Sequence, residues 1–272
     1  MNYPIFLCDF DGTLVRNDGT VTQTNIDAIA KYRAAGGVFA VCTGRMLASI
    51  RQRLQELGLT DGLVVAFQGA QIADIATGKL LKDACYIEED ILEILRFMEA
   101  HGLRIQIYVG DDLIANGRSD LLRMYEEVCR VTAKIADEPL SELVAREHMR
   151  VIKVLTICTP EEQPALDKLL TEKFGEKYYV ACSAEYLVEV MPKGESKAAA
   201  VEFFSKYYRV GKEKIAAIGD QGTDIPMIKA AGGKFAVANA VEPLKSIATV
   251  VPPVDDDGVA YALYNYAMGE KQ

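Results

Sequence analysis

The sequence has only two histidines, His101 and His148, and neither falls in a loop after a strand-like run, so both read as surface or packing residues. Its six cysteines, Cys8, Cys42, Cys85, Cys129, Cys158 and Cys182, lie far apart and form no CxxC pair, which leaves out the usual zinc and dithiol redox motifs. Most of them sit in apolar runs and read as buried, reduced thiols. No basic cluster is interleaved with aromatics, and the formal net charge is −9, so a nucleic-acid partner is not expected. An anionic substrate would need local positive charge. No apolar run approaches the ~18 residues that span a bilayer, and no basic region followed by an apolar stretch opens the chain, so neither a membrane span nor a signal peptide is expected. The cytoplasm is the default expectation. Internal repeats and low-complexity segments are also missing.

What is present is the profile of an ordered protein of one large or two smaller domains: 272 residues, 50% hydrophobic and 25% charged. Five short apolar runs read as buried strands: YPIFL (3–7), VFAVC (38–42), LVVAF (63–67), KIAAIG (214–219) and KFAVA (234–238). Between the first two, TQTNIDAIAKYRAAGG reads as a helix with Thr22 as N-cap and Gly36-Gly37 as its stop. Leu47, Ile50, Leu54 and Leu57 mark a second helical stripe that ends at Gly58. This alternation predicts an α/β fold with a doubly wound parallel sheet, in which ligands bind beyond the carboxyl ends of the strands. The loops LCDFDG, VCTGR, AFQGA and AIGDQGTD all fall there.

Residues 83–185 have another character. EEDILEILRFMEAHG and PEEQPALDKLLTEKFG read as amphipathic helices. LRIQIYV, DLIANG, VIKVLTIC and KYYVACS read as strands, the first two joined at Gly110-Asp111 as a hairpin. The expected organisation is a catalytic core of residues 1–82 and 186–272, interrupted by an α+β insertion of residues 83–185 whose two connections can act as a hinge.

The strand-end loops carry the groups that phosphoryl transfer needs. Asp9 and Asp11, two apart, would face the same way if the strand held to that point, although Gly12 is placed to end it; like carboxylates so close call for a cation between them or for different jobs. Asp9 can attack phosphorus and form an aspartyl-phosphate. Asp11 can protonate the leaving oxygen and then take a proton from the attacking water. Thr43 offers a hydroxyl and a backbone N–H to phosphoryl oxygens, with Gly44 allowing close approach. Lys197, at the start of KAAAVEFFSKYY, opposes the helix macrodipole there, which implies an anion nearby. Asp220 and Asp224 supply hard oxygen ligands of the kind Mg²⁺ prefers. Taken singly, a DxD, a TGR or a KGxxK is an ordinary turn, cap or solvated helix start. Their order along the chain carries the argument.

Together, DFDGTL (9–14), the Thr43 of CTGR, the Lys197 of KGESK and the acids of GDQGTD resemble the haloacid dehalogenase (HAD) superfamily of phosphohydrolases. FQGAQI (67–72), FAVANAVEPLK (235–245) and DDGVAYAL (256–263) resemble its Cof-type subfamily, and the insertion looks like a C2-type cap. The resemblance implies a Rossmann-like core and a phosphatase of small phosphomonoesters such as sugar phosphates or phosphorylated cofactors. It implies Asp9 as nucleophile, Asp11 as acid/base, and Mg²⁺ held by Asp9, the Asp11 main-chain carbonyl, Asp220 and Asp224, the last directly or through water. Gly12, Thr43, Gly44, Arg45, Lys197, Thr223 and Asn239 are the candidates for binding phosphate or substrate. Two positions depart from the subfamily pattern: Thr223 and Gln68 stand where asparagine is usual, and a hydroxyl cannot span the gap of an amide. Phosphotransferase or mutase chemistry on the same core, and a non-enzymatic phosphoacceptor module, are the alternatives. The physiological substrate, the cap residues that select it and the oligomeric state are not written in the sequence.

Overall fold

The computed structural model describes residues 1–129, 131–192 and 196–269. The chain divides into two compact units, Met1–Lys82 with Ser196–Gln272, and Asp83–Glu195. Lys193, Gly194 and Glu195 of the lysine motif lie outside the described residues.

The first unit opens with β1 (Ile5–Asp9), α1 (Gln23–Ala34), β2 (Val38–Cys42), α2 (Leu47–Glu56), β3 (Leu63–Ala66), β4 (Gln71–Asp74) and β5 (Leu80–Asp83). Every residue of β1 is buried, because a central parallel strand is covered on both faces. Each fully buried residue such as Phe6 or Leu7 contributes about 1.5–3 kcal/mol over an exposed one. Thr22 caps α1 as its sequence suggests, its hydroxyl accepting from the Asn25 N–H. Helix α2 buries Leu47, Ile50 and Leu54, the expected stripe.

The second unit comprises α3 (Glu88–Ala100), β6 (Ile105–Val109), β7 (Asp112–Ala115), α4 (Asp120–Cys129), β8 (Ala133–Ile135), α5 (Leu140–Glu147), β9 (Val151–Ile157), α6 (Gln163–Phe174), β10 (Tyr178–Ala184) and β11 (Leu187–Pro192). Its sheet runs β10-β11-β9-β6-β7-β8. One face of that sheet, with Ile107, Val154 and Val190, packs on Ile91, Leu95, Leu140 and Phe174 of the helices. The core was expected to resume at residue 186, and here the structure corrects the reading. Strand β11 pairs with both β10 and β9, so it belongs to the inserted unit, which runs to Glu195. LVEVMP reads as an apolar strand whichever sheet it joins, and only its pairing partners reveal which sheet it completes.

The chain returns to the first unit with α7 (Ala198–Tyr208), β12 (Ile215–Gly219), α8 (Ile225–Ala230), β13 (Gly233–Val237), α9 (Glu242–Lys245), β14 (Thr249–Val251) and α10 (Gly258–Ala262). The sheet order is β14-β13-β12-β1-β2-β3-β4-β5, parallel from β14 to β3, with β4 antiparallel to β3. Strand β1 lies between β12 and β2, where the strand order changes direction, the position at which such sheets bind ligands. The acidic run Asp255, Asp256 and Asp257 does not cap the last helix with a side chain: Asp257 accepts instead from the Thr22 hydroxyl, and Asp255 pairs with Arg16. Three of the cysteines, Cys8, Cys42 and Cys158, are buried, whereas Cys182 is exposed. Among the described residues, no helix is long and apolar enough to cross a membrane.

Candidate active site

Parallel register brings three strand ends to one edge of the first unit's sheet. Asp9 is level with Cys42 across the β1–β2 pair, and Cys8 is level with Ile218 across β1–β12. Asp9 therefore ends β1 while Thr43 and Asp220 follow β2 and β12 directly. The carboxylates of Asp9, Asp220 and Asp224 gather there, one oxygen from each lying within 4.8 Å of the others, and all three residues are buried. Lys197, immediately before α7, reaches in and donates to Asp9 Oδ1 and to Asp224 Oδ1, each at 2.5 Å. The anions that its place at the helix start implied are thus the protein's own carboxylates.

Local chemistry holds each acid in place. Asp224 Oδ2 accepts from the main-chain N–H groups of Asp220 and Gln221, at 3.1 and 2.9 Å, closing the tight turn Gly222–Asp224 ahead of α8. Asp220 Oδ1 accepts from the Thr13 hydroxyl at 3.0 Å, and its Oδ2 from the Gln221 amide at 2.9 Å. Gly12 has a φ of +79°, and a Cβ on it would lie 2.6 Å from Asp220 Oδ2, so only glycine lets this loop approach.

Charge does not balance within the cluster. Among the described residues, three carboxylates face one ammonium, a surplus of two negative charges in a buried site. Burial, followed by the charge of Asp224, raises Asp9 well above the ordinary carboxylate value; the Lys197 charge opposes that shift, while Asp220 adds to it. Burial and the Asp224 charge also raise Asp220. Burial works against the Lys197 ammonium, but Asp224 and Asp9 outweigh it and hold its pKa above the usual lysine value. Hard oxygen donors carrying two surplus charges fit a divalent cation.

Several sequence candidates stand elsewhere than expected. Asp11 does not share the space of Asp9, because β1 stops at Asp9 and the chain turns, with Leu14 N–H and Val15 N–H both donating to Phe10 O. Its half-exposed carboxylate receives the Arg45 fork, Nε at 2.8 Å and a terminal nitrogen at 2.7 Å. Arg45 is thereby tied to Asp11 and lies over the Phe10 ring. The Thr43 N–H is not free for a phosphoryl oxygen: it continues the β2–β3 ladder by donating to Val65 O at 2.9 Å. The Thr43 hydroxyl remains, accepting from Arg45 N–H at 3.2 Å and keeping its own proton to donate. Asn239 has both amide atoms bound to the main chain, donating to Gly12 O and accepting from Val254 N–H, so it braces the Gly12 loop. Thr223 is half-buried in the turn, and its hydroxyl makes no hydrogen bond among the described residues.

Sequence reasoning did not single out Thr13 and Gln221, which hold both oxygens of Asp220. Both lie inside motifs that were read for their acids, and a threonine or glutamine beside an aspartate carries no pattern of its own.

The family model for haloacid dehalogenase-like hydrolases matches residues 6–263. A phosphatase-like protein of Haemophilus influenzae is 30% identical over 266 residues, 97% of this chain and 98% of that protein. The 5-amino-6-(5-phospho-D-ribitylamino)uracil phosphatase YwtE of Bacillus subtilis is 24% identical, over 96% of this chain and 97% of its own length. A crystal structure of a Thermotoga maritima protein superposes with a TM-score of 0.84 at 27% identity, covering 96% of each chain. The chain belongs to the haloacid dehalogenase-like hydrolase family, as a phosphatase of the Cof type.

Proposed function

We propose that the protein is a Mg²⁺-dependent phosphatase that hydrolyses a small phosphomonoester through an aspartyl-phosphate on Asp9. The observation that carries this reading is the gathering of Asp9, Asp220 and Asp224 at the carboxyl edge of the sheet, with Lys197 paired to Asp9 and Asp224. Asp9, Asp220, the Asp11 main-chain carbonyl and Asp224 would hold the ion. When bound, it neutralises the surplus negative charge and that of the phosphoryl oxygens.

Asp9 attacks phosphorus, and the bond to the ester oxygen breaks as Asp11 gives that oxygen a proton. Water then attacks the same phosphorus, Asp11 takes its proton back, and the bond from phosphorus to Asp9 breaks to release phosphate. Lys197 steadies Asp9 and meets the incoming anion, and the Thr43 hydroxyl donates to a phosphoryl oxygen. Asp11 reaches a leaving oxygen only when its pair with Arg45 opens, and a bound phosphoryl group offers Arg45 a competing bidentate partner. A curated relative that acts on a phosphorylated ribityl compound supports a small phosphorylated metabolite as substrate. The six cysteines, none of them in a disulfide among the described residues, fit a cytoplasmic setting.

A phosphate-release screen over small phosphomonoesters tests the reading. Release is expected with Mg²⁺ and is expected to stop in excess chelator; undiminished turnover in chelator would remove the metal assignment. Transfer of the phosphoryl group to a second organic hydroxyl would make the protein a transferase. Asp11→Asn is expected to slow single-turnover cleavage of an alkyl phosphate by about 10²–10⁴-fold, and of a nitrophenyl ester far less, because the latter's leaving group needs little protonation. Equal losses for the two esters would take the acid role from Asp11.

A further inference from the structure

Between β3 and β4 the backbone takes a course that side chains disfavour. Phe67 and Gln68 have φ of 48° and 55°, both left-handed although neither is glycine, and Gly69 follows at 104°. Such a course persists only where its surroundings impose it. Here it turns two consecutive N–H groups toward the loop after β2: Phe67 N–H donates to Arg45 O at 3.0 Å and Gln68 N–H to Thr43 O at 2.9 Å. The Gln68 side chain then folds over Gly44, and a Cβ on Gly44 would lie 2.7 Å from Gln68 Nε2. The close approach that Gly44 permits is therefore to this amide. The same segment touches the lysine side of the site, since a Cβ on Gly69 would lie 2.5 Å from Ser196 O, the residue before Lys197.

Gln68 itself is not explained by packing. It is 5% exposed, and its Oε1 is buried with no hydrogen-bond partner among the described residues. A buried amide oxygen left unpaired is destabilising, and glycine or asparagine would adopt the left-handed backbone with less strain. We propose that Gln68 is a positioning residue of the phosphoryl-transfer site: from its left-handed backbone and folded-over amide it fixes the Thr43–Arg45 loop, and so the direction in which the Thr43 hydroxyl donates. The inference rests on the phosphatase reading above and adds to it a residue that touches neither the phosphoryl group nor the leaving group.

The test compares wild type, Gln68→Gly and Gln68→Asn. Glycine removes the amide and relaxes the backbone, so the melting temperature is expected to hold or rise. kcat is expected to fall by about ten- to a hundredfold, with KM moving much less, since a small misplacement of a catalytic group is felt mainly in the transition state. The fall should be the same for a sugar phosphate, a simple alkyl phosphate and a nitrophenyl ester. Asparagine, which keeps an amide one methylene shorter, should recover part of it. In a double-mutant cycle, Gly44→Ala should cost less in the Gln68→Gly background than in wild type, because its new Cβ no longer meets the amide. An unchanged kcat in Gln68→Gly would overturn the proposal, as would a loss confined to hydroxylated esters, which would make Gln68 a leaving-group contact. Absence of phosphate release by wild type on every ester would instead overturn the phosphatase reading itself.

Discussion

Asp9→Asn is expected to lower turnover by more than about a thousandfold while leaving the fold intact. The amide keeps the shape of the carboxylate and still accepts from Lys197, which also retains its bond to Asp224. It cannot form the acyl-phosphate. The same substitution removes one of three crowded negative charges, so in chelator the mutant should melt at the wild-type temperature or above it, and added Mg²⁺ should stabilise it less than it stabilises wild type. The pH dependence has a definite sign. Asp9 and Asp220 both bind their protons more tightly folded than unfolded. Metal-free wild type is therefore favoured below the ordinary carboxylate range and loses that stability as pH rises through the raised values. Asp9→Asn should flatten this slope. Thermal melts across pH in chelator measure it, and wild-type turnover in the mutant would move the nucleophile elsewhere.

Lys197→Met should be costly in a different way. The ammonium is the positive partner of both Asp9 and Asp224, and its side chain is only 3% exposed. Removing one member of a buried ion pair costs about 3–5 kcal/mol, because the charge left behind has lost its partner and cannot regain water. At about 2–4 °C per kcal/mol for a chain of this size class, the metal-free melting temperature is expected to drop by roughly 6–20 °C. Activity should be lost with it. Mg²⁺ should recover part of the stability, since a cation at the carboxylates replaces some of the missing charge, but should not recover turnover, because the group that steadies Asp9 and meets the substrate anion is gone. A melting temperature unchanged in chelator would show that the Asp9–Lys197–Asp224 contact contributes little to the fold.

The main residues of the candidate site were legible because strand ends announce themselves. An apolar run stopping at Asp9, at Cys42 before Thr43, and at Gly219 before Asp220 places all three at one sheet edge once the strands are parallel, and parallel pairing follows from the helical stripe of Leu47, Ile50 and Leu54 between β2 and β3. Lys197 was legible as a positive charge in the wrong place on its helix. Partners were harder. An i, i+2 rule would make Asp9 and Asp11 neighbours only if the strand held as far as Asp11; β1 stops two residues earlier, at Asp9, and the hydrogen bonds of Leu14 and Val15 to Phe10 turn the chain there.

Sequence alone therefore determined the α/β class, and it proposed an inserted unit and the acids and lysine of the candidate site, because periodicity, turn residues and charge are local properties of a chain. The tertiary structure decided which partner each group keeps: Arg45 on Asp11, Thr13 and Gln221 on Asp220, the Thr43 N–H in the ladder, Asn239 on Gly12, and β11 in the second sheet. Apart from Gln221, which directly follows Asp220, those are contacts between residues distant in sequence or facing across a loop. They depend on distances of a few ångströms that folding sets, and no spacing along the chain encodes them.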